Sequence, residues 1–231
     1  MKEIERELSQ IEPENRSCVL LFSGGIDSTV LLFMLKRMGF TINLLTINYG
    51  DRNPKETEAC EALAKIAKPA SFFEVELDFM RESITLYQQN GNDMMRDIIK
   101  ELPTFYIPAR NMIFLSIAAY YAEFLNSRFI FTGHVKEDVS LLPDVSDVFV
   151  QRLNELLKYG TYAGKKGKLK VMLPFSNISK DELVEFAVKY EVPLEYTWSC
   201  HELVDNHCGR CRGCMDRKRF MDNYERIKRN G

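Results

Sequence analysis

Histidine and tryptophan are scarce in this 231-residue chain, with three and one respectively, and no G-x-x-x-x-G-K-[ST] string occurs in it. The missing string excludes a Walker A phosphate loop. An excess of one charge is also lacking: 31 Lys and Arg against 33 Asp and Glu leave a formal net charge of -2, so composition makes no broad case for nucleic acid or an anionic membrane. No apolar run approaches the length of a membrane span, and Met1–Glu7 is charged with no apolar core, so neither a span nor a secretory signal is expected and a cytoplasmic location is. Cysteine is rare outside one segment. Four of the six crowd into residues 200–214, leaving Cys18 and Cys60 alone, a distribution that speaks for a metal site and against a disulfide framework. Hydrophobic content of 45% and charged content of 28% are ordinary for a globular protein, and the length suits one well-buried domain with a small appendage.

What is present centres on Ser23-Gly24-Gly25-Ile26-Asp27-Ser28-Thr29. It follows the apolar run Cys18–Phe22, which reads as a buried strand, and precedes Val30–Leu35, whose continuous apolar character suits a helix packed on a sheet. A strand turning through two glycines into a helix gathers unpaired backbone N–H groups at the positive end of a helix dipole, which is a site for phosphate. Gly24 and Gly25 let an anion approach the backbone, and Ser23, Ser28 and Thr29 add hydroxyl donors. Asp27 is placed to hold a Mg²⁺ that bridges phosphates. The competing reading is a strand–helix turn capped by Ser and Asp.

The remaining pattern predicts α/β architecture, a doubly wound, Rossmann-like parallel sheet. Residues 1–16 read as a polar lead-in, 17–196 as the nucleotide-binding domain and 197–231 as a C-terminal metal module. Strands are expected at about 18–22, 41–47, 71–77, 128–132 and 169–175, with helices at about 28–38, 54–68, 110–124, 147–159 and 180–190. Pro54 opens the second helix, and Ser179 with Glu182 forms a capping box for the last. Residues 79–103 read as an insertion or lid, 133–146 as a loop and 160–168 as a basic, Gly-rich loop.

In an open parallel sheet, ligands bind beyond the C-terminal strand ends. Tyr49, Asp51, Arg52, Arg110, Asn111, Gly133, His134, Glu137 and Asp138 all fall there or at helix starts. Arg110 can meet phosphate or carboxylate through two N–H groups. His134, a lone loop histidine, fits a structural role better than a functional one. Cys200, Cys208, Cys211 and Cys214 form C-x₇-C-x₂-C-x₂-C, which supplies all four ligands of a closed tetrahedral Zn²⁺ site, structural rather than catalytic. An iron–sulfur cluster is the competing occupant. His201 and His207 lie beside the ligands without being needed as ligands.

The Ser23–Thr29 string resembles the pyrophosphate loop of the ATP pyrophosphatase (PP-loop) superfamily. That resemblance assigns Ser23, Gly24, Gly25, Asp27, Ser28 and Thr29 to ATP, with Tyr49, Arg52 and Gly133 alongside. The strings FYIPARNMIFLSIAAYYAE, Glu137-Asp138, Pro143-Asp144, LPFSNISKDEL, TWSC and HCGRCRGCMDRKRF recur in the order found in 7-cyano-7-deazaguanine synthases, and the likeness runs from about Cys18 to Phe220. It implies an ATP-dependent ligase that converts 7-carboxy-7-deazaguanine with ammonia, through an adenylated carboxylate and an amide, to the nitrile. It also implies Mg²⁺, a structural zinc and a homodimer. Asp27, Arg110 and Lys180 would be catalytic, and Arg110, Asn111, Glu137, Asp138 and Asp144 would meet the substrate.

Two segments depart from the family. Tyr49-Gly50-Asp51-Arg52-Asn53 stands where YGQRH is usual, and Ser140-Leu141-Leu142-Pro143-Asp144-Val145-Ser146 where SGYPDCR is usual. Loss of an aromatic and a guanidinium from the second alters how a planar, carboxylated base or its nucleophile is held. Alternatives follow: the activated carboxylate passes to another amine, on a protein or a nucleic acid, or the chain is a non-catalytic nucleotide-binding module that regulates a partner.

Overall fold

The computed structural model describes residues 2–50, 53–80 and 107–230; Asp51, Arg52 and most of the expected 79–103 insertion lie outside the described residues. Five strands, β1 (Ser17–Leu21), β2 (Thr41–Asn48), β3 (Ser71–Glu76), β4 (Phe129–Phe131) and β5 (Lys170–Met172), form one sheet. Its order is β3-β2-β1-β4-β5, with every neighbouring pair parallel. The chain leaves β1 outward through β2 and β3, then returns to the other side of β1 with β4. The crevice between the ends of β1 and β4 is therefore the switch point at which such sheets bind ligands.

Alternation along the strands explains the two covered faces. Cys18, Leu20, Leu44 and Phe131 face one core, shared with the helices α2 (Ile26–Arg37), α3 (Pro54–Ala67), α8 (Lys180–Lys189) and α9 (Arg212–Asn230). Leu8 of α1 (Lys2–Ser9) enters the same core, with Ile4 and Ile11 packed against it, so the polar lead-in is fastened by a few apolar residues. Val19, Leu45, Ile47 and Ile130 face the second core, under α4 (Arg110–Phe124) and α6 (Asp147–Gly160). α2 lies deepest: nine of its residues, Ile26 and Ser28–Leu35, are buried, which is why its sequence shows no polar face.

The expected strands and helices are all present, with no end displaced by more than three residues. Two loop assignments change, and the C-terminal module gains a helix. Residues 133–146 contain α5 (Lys136–Leu141) and a 3₁₀ turn at Pro143–Val145. Residues 160–168 contain the single turn α7 (Tyr162–Lys165), capped by Thr161. The C-terminal module continues from its last cysteine into the 19-residue α9, whose Phe220 is buried in the first core. Its high charge hides the 3.6-residue spacing of Phe220, Tyr224 and Ile227. Among the described residues no helix is long and apolar enough to cross a membrane.

β5 is an edge strand, and a side chain completes it. Asn154 of α6 donates to the Val171 carbonyl at 3.0 Å and accepts from the Val171 N–H at 2.7 Å, standing in for a sixth strand. Asn154→Ala would leave both groups unpaired beside the buried Val171, and should lower unfolding stability by about 2 kcal/mol in a chemical denaturation curve.

Candidate functional site

The sheet ends at β1 in a tight construction. Gly24 has φ +74°, and a Cβ there would lie 2.9 Å from Cys60 Sγ and 3.1 Å from Cys60 N, so only glycine fits. Gly25 is the N-cap of α2 and no side chain caps that helix, which leaves its first-turn N–H groups directed at the cleft. Ser23 Oγ and Ser28 Oγ are 3.1 Å apart, and Ser23 Oγ accepts from the Gly25 N–H at 3.3 Å, holding the loop open. From β4, Gly133 abuts this helix start: a Cβ there would come 2.9 Å from both Ser28 N and Cα.

Two connected clefts open over the loop, of about 740 and 410 Å³. Ser23, Asp27, Tyr49, Arg110, Asp138 and Leu142 line both. The larger extends over Lys180 to Trp198, Ser199, Arg212 and Asp216. The smaller runs between the strand ends, past Leu45, Phe114, Gly133 and His134. Its apolar floor with polar rims suits a flat heterocycle, and the larger cleft's charges suit phosphates.

The electrostatics converge on Asp27. Burial pushes its carboxyl up from 3.8 to about 7; Lys180 opposes the shift, while Asp138, Asp216 and Glu137 add to it. Burial pulls Lys180 down, but Asp27 and a 2.8 Å ion pair with Asp216 outweigh that and raise it, so it stays an ammonium. Arg110 lies over the Tyr49 ring with its Cζ 5.7 Å from the centroid, and Tyr49 packs at 5.2 Å on Phe114. His134 Nδ1 is 2.8 Å from Thr132 Oγ1, and burial lowers its pKa, with Asp138 opposing. The lone loop histidine is thus a wall of the cleft.

Several expected site residues also have partners within the protein. Asp144 is buried, and its carboxylate accepts from Asn111 N at 2.8 Å and Asn111 Nδ2 at 3.0 Å, fixing the start of α4. Glu137 accepts from the Lys180 N–H at 3.2 Å and so supports α8, close enough to Asp27 to help raise its carboxyl. Thr29 is fully buried, its hydroxyl donating to the Gly25 carbonyl at 2.7 Å. Arg52 lies outside the described residues. Sequence reasoning passed over Glu56, Trp198, Ser199, His201, Arg212, Asp216 and Arg217, which the fold brings to the cleft. The charged string around the last two cysteines is the available signal for Arg212, Asp216 and Arg217.

The four cysteines converge as their spacing predicts. All four Sγ atoms lie within 4.8 Å of one another, with Cys208 to Cys214 at 3.8 Å and Cys211 to Cys200 at 4.0 Å. Zn–S bonds of about 2.3 Å in a tetrahedron require S···S near ~3.8 Å. Backbone N–H groups of Cys208, Cys211 and Cys214 point at Cys200, Cys208 and Cys211 Sγ at 3.3–3.4 Å, the donors that thiolates need. N–H groups of Arg210 and Cys211 pull the Cys208 thiol down to about 6. These residues fit zinc. Gly213 is obligatory, because a Cβ would sit 1.9 Å from the Ser199 carbonyl oxygen.

A family model described as queuosine biosynthesis protein QueC matches residues 17–225. The chain belongs to the QueC family. A 7-cyano-7-deazaguanine synthase of Campylobacter jejuni is 37% identical over 219 residues, spanning 90% of this chain and 94% of that protein. One from Thermoplasma volcanium is 36% identical over 211 residues, spanning 90% and 87%. Among solved structures, an NMN synthetase from Francisella tularensis superposes with a TM-score of 0.52 at 14% identity, covering 97% of this chain and 93% of that one. An NH3-dependent NAD synthetase from C. jejuni gives 0.50 at 17%, covering 84% and 75%. At these identities the structures bear on the fold alone.

The departures from the usual QueC-family strings have structural employment. Asn53 caps α3 by accepting from Lys55 N at 2.9 Å, and its Nδ2 donates to the carbonyls of Glu202 at 2.7 Å and Val204 at 3.0 Å, tying the cysteine module down. Val145 is fully buried, and Ser146 caps α6 by accepting from Phe149 N at 3.2 Å. Leu142 remains as cleft wall.

Two outcomes follow from this geometry. Cys211→Ser should lower zinc content below stoichiometric, measured by atomic emission, and lower the melting temperature by several degrees, whereas Cys60→Ala should keep full zinc content. The raised Asp27 carboxyl binds its proton more tightly folded than unfolded, so its stabilising contribution is full below pH 3.8 and is lost as pH rises to and through about 7. The ligand-free Asp27→Asn variant should therefore melt above wild type at pH 8, with the gap closing toward pH 4.

Proposed function

We propose that the chain is an ATP-dependent carbon–nitrogen ligase that adenylates 7-carboxy-7-deazaguanine and takes it with ammonia, through the amide, to 7-cyano-7-deazaguanine. The observation that carries this is one cleft at the switch point of the sheet, where an uncapped helix start, Asp27, Lys180 and Arg110 meet. Membership of the QueC family, whose relatives carry the synthase name, supports the choice of acid.

In this reading the N–H groups of residues 26–28 and the ammonium of Lys180 bind the β- and γ-phosphates, and the smaller cleft takes the adenosine. Asp27 would hold a Mg²⁺ whose charge offsets that of the phosphates. Asp138, which lines the same clefts, fits a cation there, since its repulsion helps push Asp27 up. The substrate carboxylate oxygen attacks the α-phosphorus, the bond to the bridging oxygen breaks, and pyrophosphate departs. Arg110, held over Tyr49, is positioned to stabilise charge on the five-coordinate phosphorus. Ammonia then adds to the acyl carbon and AMP leaves, giving the amide and a released proton. A second ATP adenylates the amide oxygen, and loss of AMP with the nitrogen-bound protons leaves the nitrile. The four thiolates would hold zinc away from the reacting atoms, where it supplies a rigid cross-link for the wall bearing Trp198 and Asp216. Homodimer formation belongs to the same reading, and Tyr120 and Phe124, stacked at 6.2 Å and exposed, are apolar surface it would cover.

A second reading, transfer to an amine other than ammonia, draws on Leu141 and Leu142 on the cleft wall, where the family's pattern has Gly and Tyr. Incubation with ATP, Mg²⁺, the acid and ammonium should give amide and then nitrile by mass spectrometry, and Arg110→Ala should lower kcat by roughly a hundredfold or more. Pyrophosphate release independent of the deazaguanine would contradict the proposal; turnover that needs a different amine would favour the second reading.

A further inference from the structure

The larger cleft holds a carboxylate that phosphate chemistry does not require. Asp216, two residues beyond Cys214 on α9, lines the cleft and pairs with Lys180 Nζ at 2.8 Å. The two side chains are 38% and 32% exposed, so both reach the solvent of the cleft. Lys180 has little freedom in its backbone: Ser179 and Glu182 cap its helix reciprocally, and Glu137 accepts from its N–H at 3.2 Å. Only the side chain can choose partners. Asp216 is similarly fixed, because the adjacent Arg217 donates to Thr197 and to the Leu194 carbonyl. One ammonium cannot remain fully paired with Asp216 and also neutralise a polyphosphate, and a fixed carboxylate repels that polyphosphate.

We infer that Asp216 is a positioning residue for Lys180: it holds the ammonium while the cleft is empty, yields it to incoming phosphates, and takes it back as pyrophosphate leaves. The cysteine module would thereby act on product release through a charge as well as a wall. This rests on the reading of the cleft as an ATP site. A second α8–α9 connection supplies the control: Asp181 pairs with Arg219 and accepts from Asn223 at 3.1 Å, and it does not line either cleft.

The test is calorimetric titration of the zinc-loaded protein with Mg-pyrophosphate and Mg-ATP, with no deazaguanine present, beside single-turnover and steady-state rates. Asp216→Asn should bind pyrophosphate roughly three- to tenfold more tightly, as expected for removal of a half-exposed pair that competes with the ligand. Steady-state kcat should fall while the single-turnover adenylation rate holds, and Asp216→Glu should return affinity toward wild type. Asp181→Asn should leave pyrophosphate affinity unchanged. Equal or weaker pyrophosphate binding by Asp216→Asn, or an equal gain in Asp181→Asn, would overturn the inference and leave the ATP reading standing. A wild-type protein that binds neither Mg-ATP nor Mg-pyrophosphate would overturn the ATP reading and this inference with it.

Discussion

The structure depends on the seating of the cysteine module against the phosphate-type loop. The Trp198 N–H donates to the Gly24 carbonyl at 3.0 Å, and Trp198 Nε1 donates to the Cys200 carbonyl at 2.9 Å, so one residue joins the loop to the first cysteine. Its ring packs at 4.3 Å on His207, whose Nε2 accepts from Ser199 N. Asn53 closes the other side by holding Glu202 and Val204. Segment 197–211 has almost no apolar core of its own, so a metal held by the four cysteines would be a means of fixing it. Without that seating, one wall of the larger cleft would be missing.

The same arrangement explains an apparent conflict between stability and chemistry. Asp27 is a carboxylate at the start of a helix whose following residues are buried, and its pKa rises to about 7 as a result. A core optimised for stability alone would place an uncharged group there. The strain is tolerable because Lys180 stands opposite, and Lys180 is oriented by α8 through its cap and by α9 through Asp216. Four separate elements, α2, α5, α8 and α9, thus meet around one charge.

Much of this was legible in the sequence, and the reason is periodicity. Strand–helix alternation, the SGGIDST turn, the Ser179–Glu182 cap and the cysteine spacing are each local patterns with a physical meaning, and each appears where its residues predict. Interactions across the chain were not legible. Asp144 reads as a loop acid for the substrate, and its pairing with Asn111, 33 residues earlier, which takes both its oxygens, has no local signal. His134 reads as a lone histidine, yet the fold brings it into the lining of the smaller cleft together with Arg110. α9 was hidden because its buried stripe is thin and its charges many. Nothing in the cysteine spacing shows that Gly213 must lack a Cβ for Ser199 to approach.

The central claim is that this cleft activates a carboxylate by adenylation, and the oxygen atoms report that directly. Turnover of 7-carboxy-7-deazaguanine labelled with ¹⁸O in its carboxylate should place one ¹⁸O in each AMP, from the acid in the first step and from the amide in the second, as read by mass spectrometry. Unlabelled AMP, or formation of ADP and phosphate in its place, would contradict the account.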